Sequence, residues 1–155
     1  MPRSIVVSDT SSLIVLTKIG QLDLLPKLYA KIVTTPEIIY EFGNPLPDWI
    51  QVINVQNLDL KKSLELHLDL GEASAIALAH EVPESTLILD DLKGRKVAKL
   101  LKMKFTGTLG VLARAKSEGI IPRLKPVIDK LLETNFRVSD HLIEELLKKY
   151  GESLN

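Results

Sequence analysis

Two short apolar runs in this chain end in acid. Ile5-Val6-Val7-Ser8 leads into Asp9, and Thr86-Leu87-Ile88-Leu89 leads into the Asp90-Asp91 pair. Both runs read as buried strands, and an aspartate placed directly after one must be hydrated, capped or paired. A single such residue is readily a helix cap; two strands ending alike point to a shared use. In open α/β sheets ligands gather outside the carboxyl ends of the strands, where the strand order reverses. Crowded carboxylates repel and raise one another's pKa, so a cluster of them persists mainly where a divalent cation neutralises it. Oxygen donors with no cysteine, and with only His67, His80 and His141 at no ligand spacing, suit Mg²⁺ or Mn²⁺ rather than zinc or copper. Such an ion is most useful on a phosphate substrate, where it activates water and offsets developing negative charge.

The elements that must position these acids alternate along the chain. Val- and Ile-rich runs are separated by longer segments of helical period, the pattern of βαβ units and a parallel sheet. After Asp9, the hydroxyls of Thr10-Ser11-Ser12 offer N-caps for a helix carrying Leu13, Leu16 and Ile19 and closed by Gly20. A small helix over 22–29 precedes a strand over 31–34. Thr35-Pro36 then opens a helix to Phe42, with proline where its missing N–H costs nothing. Residues 49–55 alternate like an edge strand, and helices follow over 58–68 and 71–82. A basic amphipathic helix carrying Val97, Leu100 and Leu101 starts after Asp91. A short strand at 104–106 and a helix from Gly107-Thr108 come next. Two amphipathic helices, 123–134 and 139–150, complete the chain, with Ser139 as an N-cap and Glu144–Lys148 as an i,i+4 pair.

The expectation is one domain over 1–155: a core to about 121 and a C-terminal helical extension over 122–155. At 155 residues and 45% hydrophobic content, the chain buries a core without disulfides or a structural metal. The absence of cysteine excludes a thiol nucleophile or redox pair and fits a reducing compartment. The apolar run after Met1-Pro2-Arg3-Ser4 is too short for a signal-peptide core, and no stretch is long enough to span a bilayer, so a cytoplasmic protein with no membrane partner is expected. The formal net charge of zero hides an asymmetry. Residues 1–92 carry 6 Lys/Arg against 13 Asp/Glu, whereas 93–155 carry 14 against 7. Lys93, Arg95, Lys96, Lys99, Lys102 and Lys104 form a run without an acid. Read alone, such a run is a solvated helix face.

Competing phosphate chemistries fit poorly. A haloacid-dehalogenase-type phosphatase needs a second aspartate two residues after the first, where Ser11 stands. A response-regulator receiver needs its acidic pair after the first strand, and here the pair comes late. Neither GxxxxGK[ST] nor GxGxxG occurs.

Five segments in order carry a family resemblance: Val6-Val7-Ser8-Asp9-Thr10-Ser11-Ser12-Leu13-Ile14, Pro36-Glu37-Ile38-Ile39-Tyr40-Glu41-Phe42, Leu68-Asp69-Leu70-Gly71-Glu72-Ala73-Ser74-Ala75-Ile76-Ala77-Leu78-Ala79, Leu87-Ile88-Leu89-Asp90-Asp91-Leu92-Lys93-Gly94-Arg95, and Thr106-Gly107-Thr108-Leu109-Gly110. Together they resemble a PIN domain, and more narrowly the prokaryotic, VapC-like subgroup that includes nucleic-acid-binding proteins and toxins of toxin–antitoxin pairs. The resemblance implies a three-layer α/β/α sandwich with a mostly parallel sheet of about five strands, and a Mg²⁺- or Mn²⁺-dependent endoribonuclease site.

Carried onto this chain, the family's acids fall on Asp9, Glu41, Glu72 and Asp91, with Asp90 a substitute or second ligand. Ser11 would orient the cluster. Glu72 stands where many relatives use aspartate. Thr106 and Thr108 would present hydroxyls and helix N–H groups to a phosphate. Singly, Glu41 and Glu72 read as ordinary helix carboxylates, and Glu72 suits a helix start for its charge alone. The resemblance also recasts the basic helix, whose Lys93 and Arg95 would hold RNA phosphates. The partners implied are RNA and a small antitoxin protein. The apolar faces of the last two helices, with Leu131, Leu132, Phe136, Leu142, Leu146 and Leu147, serve either a dimer or antitoxin interface or the chain's own core. The alternative function is a PIN-like module that grips RNA or protein without cutting.

Overall fold

A computed structural model describes residues 4–153; the opening Met1-Pro2-Arg3 lies outside them. In chain order the elements are β1 (Ile5–Ser8), α1 (Thr10–Lys18), α2 (Leu24–Leu28), β2 (Lys31–Thr34), α3 (Pro36–Phe42), β3 (Ile50–Val52) and α4 (Leu58–Glu65). There follow α5 (Leu70–Glu81), β4 (Thr86–Ile88), α6 (Leu92–Leu100), β5 (Phe105–Thr106), α7 (Thr108–Ser117), α8 (Lys125–Leu132) and α9 (Asp140–Lys149). The strands form one parallel sheet in the order β3-β2-β1-β4-β5. This is an α/β sandwich with helices on both faces, which explains why β1, β2 and β4 are continuous apolar runs rather than alternating ones.

The order sets the location of any site. The chain moves outward from β1 through β2 to β3, then returns to the other side of β1 for β4 and β5. The reversal therefore lies between β1 and β4, paired Val6 to Thr86, Val7 to Leu87 and Ser8 to Ile88. The carboxyl ends of these two strands carry Asp9 and Asp90, and a bond from the Asp9 N–H to the Ile88 carbonyl (3.1 Å) keeps them in register beyond the last pair.

One cluster of buried apolar side chains runs from Val6 to Leu147. Helix α5 lies against β1 and β4, with α3, α4 and α6 packed on it. Its alanines Ala73, Ala75, Ala77 and Ala79 are buried, and their small size permits that close approach. A buried hydroxyl pair locks α3 to α5: Thr35, the N-cap of α3, meets Ser74 of α5 at 2.7 Å, and Ser74 also donates to the Gly71 carbonyl.

Several local expectations are corrected. The first helix is capped not by the hydroxyls of 10–12 but by Asp9, whose carboxylate accepts from the Ser12 N–H at 2.9 Å. Strand β3 keeps only three residues of the expected 49–55, as befits an edge with a single partner. Leu100, expected on the buried face of the basic helix, is 83% exposed at the end of α6, while Ala98 takes the core position. On α9 the i,i+4 contact is between His141 Nε2 and Glu145 (3.0 Å) rather than between Glu144 and Lys148.

The two C-terminal helices contribute Leu131, Ile143 and Leu147 to the core, while Leu132 and Leu142 stay partly exposed. The N-terminus of α8 has no cap of its own. Glu152 supplies it from the far end of the chain, accepting from the N–H groups of Leu124 and Lys125, both at 2.9 Å. Replacing Glu152 with Ala strands those two donors and should lower unfolding stability by about 1–3 kcal/mol; urea denaturation measures it, and an unchanged midpoint would show that water caps α8 equally well.

Candidate active site

Among the helices that begin at the carboxyl edge of the sheet, the N-termini of α1, α5, α6 and α7 organise the acids. Asp9 is only 2% exposed. It is fixed by capping α1, yet two helix-terminal bonds do not offset its lost hydration. Burial, with a smaller push from the neighbouring Asp90 charge, raises its pKa to about 7 against the pull of Ser12. Asp90 is held on both oxygens. One accepts from the Thr108 N–H (2.9 Å); the other accepts from the Thr108 hydroxyl (2.6 Å) and the Ser12 hydroxyl (3.1 Å). Asp90 thus serves as the N-terminal partner of α7, which Gly107 cannot cap itself. Gly107 has to be glycine for this, because a Cβ there would sit 2.5 Å from the Asp90 carboxylate and against the Arg95 guanidinium.

The second group of acids gathers at the start of α5. Glu41, exposed near the end of α3, accepts from the Thr10 hydroxyl at 2.6 Å and from the Gly71 N–H at 3.3 Å. It therefore bridges the N-termini of α1 and α5. Gly71 makes this possible, since a Cβ would collide with the Glu41 carboxylate. Glu72 lies in the first turn of α5, which Asp69 caps through the Glu72 N–H at 2.8 Å. Partial burial, then the facing carboxyls of Asp69 and Asp91, push the Glu72 pKa up to about 9. Asp91 caps α6 through the Gly94 N–H at 2.8 Å.

The structure thus separates the two adjacent aspartates. Asp90 faces Asp9, Ser12 and Thr108, whereas Asp91 faces Glu72. Ser11 is exposed and lines a neighbouring groove; Ser12 makes the contacts that orient the Asp9–Asp90 pair. Thr108 touches Asp90 directly. Thr106 packs its hydroxyl against Gly110 and lines the groove. Arg95 donates from Nε to the Leu89 carbonyl (2.6 Å) and lies over the Phe105 ring at 5.3 Å. Lys93 is exposed on the first turn of α6. The residues the sequence reading passed over are Thr10, Ser12 and Asp69. The capping rule holds the signal for Ser12 and Asp69, because an N-cap carboxylate reaches the N–H three residues on.

The donor set suits a hard cation in two respects. It is all oxygen, and no lysine or arginine forms an ion pair with it among the described residues; burial first, and the neighbouring carboxylates second, raise the pKa values of Asp9 and Glu72. Among the described residues, however, no three acids or histidines converge as a ready-made ligand set. Asp69 and Asp91 already give an oxygen each to helix N–H groups, and Asp90 gives one to the Thr108 N–H and the other to the Thr108 and Ser12 hydroxyls. Beside the acids, a groove of about 970 Å³ runs between α1, the start of α6, the β5–α7 turn and the segment joining α8 to α9.

In a parallel α/β sandwich the switch point is where ligands bind, and here carboxylates gather at it. The particular family follows from a family model described as a PIN domain, which matches residues 5–152. The chain belongs to the PIN-domain family, whose members are typically nucleases and generally use divalent metals. No curated protein and no solved structure matches it. Among the described residues no helix is long and apolar enough to cross a membrane.

The sign of the Asp9 shift gives a test that needs no substrate. Its folded pKa, about 7, lies above the ordinary value of 3.8, so between these limits the folded state holds a proton that the unfolded state has lost. This contribution to stability is present in acid and is lost as pH rises toward 7, by at most about 4 kcal/mol. Asn caps a helix as well as Asp does. Asp9→Asn should therefore raise the melting temperature of metal-free protein at pH 8 and change it little near pH 4. A lower melting temperature at pH 8 would mean that the charge is already compensated.

Proposed function

We propose that this protein is an endoribonuclease that hydrolyses RNA phosphodiesters with Mg²⁺ or Mn²⁺, and that it acts as the toxin of a toxin–antitoxin pair, with a small antitoxin protein as its partner. The observation that carries the nuclease reading is the uncompensated acidic edge at the β1/β4 reversal, with Asp9 buried there. A divalent cation bound at that edge would supply an activated water and offset charge on the phosphate oxygens.

The chain's own residues have separate tasks. Asp9 and Asp90 offer the paired carboxylates at the strand ends, held rigid by Ser12 and Thr108 so that little reorganisation is needed. Glu72 and Asp91 present the second pair across the edge, and the Glu72 carboxyl, protonated at neutral pH while no cation is bound, would release its proton as a cation takes its place. Glu41 ties α1 to α5 and keeps the two pairs in fixed relation. Arg95 and Lys93 stand beside the acids on α6, where positive charge would draw in the RNA backbone. The toxin role rests on the resemblance to the VapC-like subgroup and on the polarity of charge between the two parts of the chain.

One observation favours the second reading, a scaffold that binds RNA without cutting it: the acids meet in pairs rather than as a converged set. RNA retention in EDTA with no cleavage in Mn²⁺ would support that reading.

Asp90→Asn should reduce Mn²⁺-dependent cleavage of single-stranded RNA about a hundredfold or more while the circular-dichroism spectrum stays the same; wild-type rates in this variant would remove Asp90 from the machinery. Gly71→Ala offers a subtler check. Alanine suits a helix better than glycine by about 1 kcal/mol, yet its methyl must displace the flexible Glu41 carboxylate. Stability should hold or rise while cleavage falls, and a fully active variant would show that the position of Glu41 is immaterial.

A further inference from the structure

The groove beside the acids is built by more than the strand ends. Its inner side carries Phe105 and Leu109, and its outer wall is the segment between α8 and α9, with Phe136 and Arg137. That wall is braced. The Phe136 N–H donates to the Thr134 hydroxyl (3.1 Å), and this hydroxyl donates to the Leu131 carbonyl (2.6 Å). Arg137 reaches back to the carbonyls of Thr134 and Phe136, both at 3.1 Å. On the inner side Arg95 is fixed against Phe105 by its bond to Leu89. The groove therefore has one aromatic ring on each side, a guanidinium plane already laid on one of them, and positive charge from Lys18, Arg95 and Arg137. Its negative charge is confined to the end where Asp90 and Asp91 stand.

We propose that this groove seats an unpaired nucleobase of the RNA strand next to the scissile phosphate, with Phe136 and the Arg95–Phe105 pair as its stacking surfaces and Arg137 and Lys18 facing the flanking phosphates. The assignment rests on the nuclease reading above and adds the residues that would hold the base beside the cut. Bases in a duplex offer no free face, whereas an unstacked base can lie on an aromatic ring or an arginine plane. The charge layout fits as well. Cations along the groove and carboxylates only at its end would let a polyanion lie along it and meet the acids at one phosphate. The volume is at the upper end of the range for small-ligand pockets, ample for one nucleotide. Because the outer wall comes from the C-terminal segment, sequence preference would be set there rather than by the acids.

The test uses the full chain in magnesium-free buffer and follows backbone amides by NMR as uridine or adenosine monophosphate is added, with inorganic phosphate as control. The amides of Gly107, Phe136 and Arg137 should shift with the nucleotides and not with phosphate alone. Phe136→Leu keeps the apolar volume and removes the ring; it should weaken nucleotide binding about fivefold to a hundredfold. Arg137 is exposed, so Arg137→Ala leaves the core intact and should flatten the salt dependence of binding. Equal shifts with phosphate alone, or Phe136→Leu binding as wild type does, overturn the proposal. So do shifts that follow only protein concentration, which assign the groove to a second copy of the chain. Cleavage by the wild type in Mn²⁺ with these amides unmoved removes the groove and leaves the nuclease. Nucleotide binding without any cleavage supports the groove and removes the nuclease.

Discussion

A carboxylate withdrawn from water stays ionised only when nearby positive charge or donors replace its hydration. Around the carboxyl edge of this sheet the replacement comes from helix N-termini, not from lysine or arginine. Asp9 sits on α1, Asp90 on α7, Glu41 and Asp69 on α5, and Asp91 on α6. The N–H groups at a helix start and the dipole behind them favour an anion. They do not suffice for buried Asp9, whose raised pKa marks the shortfall. The rest of the structure follows from this constraint. Four helices must begin at one edge, which a parallel sheet with a reversal between β1 and β4 provides. Glycines stand at 71 and 107, where the Glu41 and Asp90 carboxylates approach the backbone so closely that a Cβ would displace them.

The same constraint links folding to function. Each acid is held by the start of an element that also packs into the core, so the site's geometry is as stable as the sheet beneath it. The hydroxyl lock between Thr35 and Ser74 serves this linkage, because it fixes α3 on α5 and with it the place of Glu41 relative to Glu72. On the proposed function, the remaining imbalance of charge is what would attract a cation. A site whose acids were fully compensated by arginine would be more stable and would have no affinity for a metal.

Much of this was legible in the sequence. The alternation of apolar runs with helical periods identified the parallel α/β fold, and two runs ending in aspartate identified the edge. Which of Asp90 and Asp91 turns toward Asp9 was not legible, because adjacent residues at a strand end obey no strict alternation. It is decided by Thr108, eighteen residues further on in the chain, and by the space that Gly107 leaves. Ser11 was named from the family resemblance, whereas Asp9, acting as a helix cap, must face the N–H three residues later, at Ser12. Leu100 followed the helical period and yet lies in water, since α6 ends there and has no neighbour beyond it. The groove wall from Thr134 to Val138 has no periodic signal at all. Its position depends on the packing of α8 and α9 into the core, a long-range fact that local pattern does not encode.

The central claim is that the acidic edge holds protons in place of a cation and exchanges them for one. Calorimetric titration of Mn²⁺ into the metal-free protein at pH 7, repeated in buffers of different ionisation enthalpy, measures both the binding and the protons released. The account predicts saturable binding with net proton release, reduced in Asp9→Asn. No binding, or binding with no proton released, would contradict it.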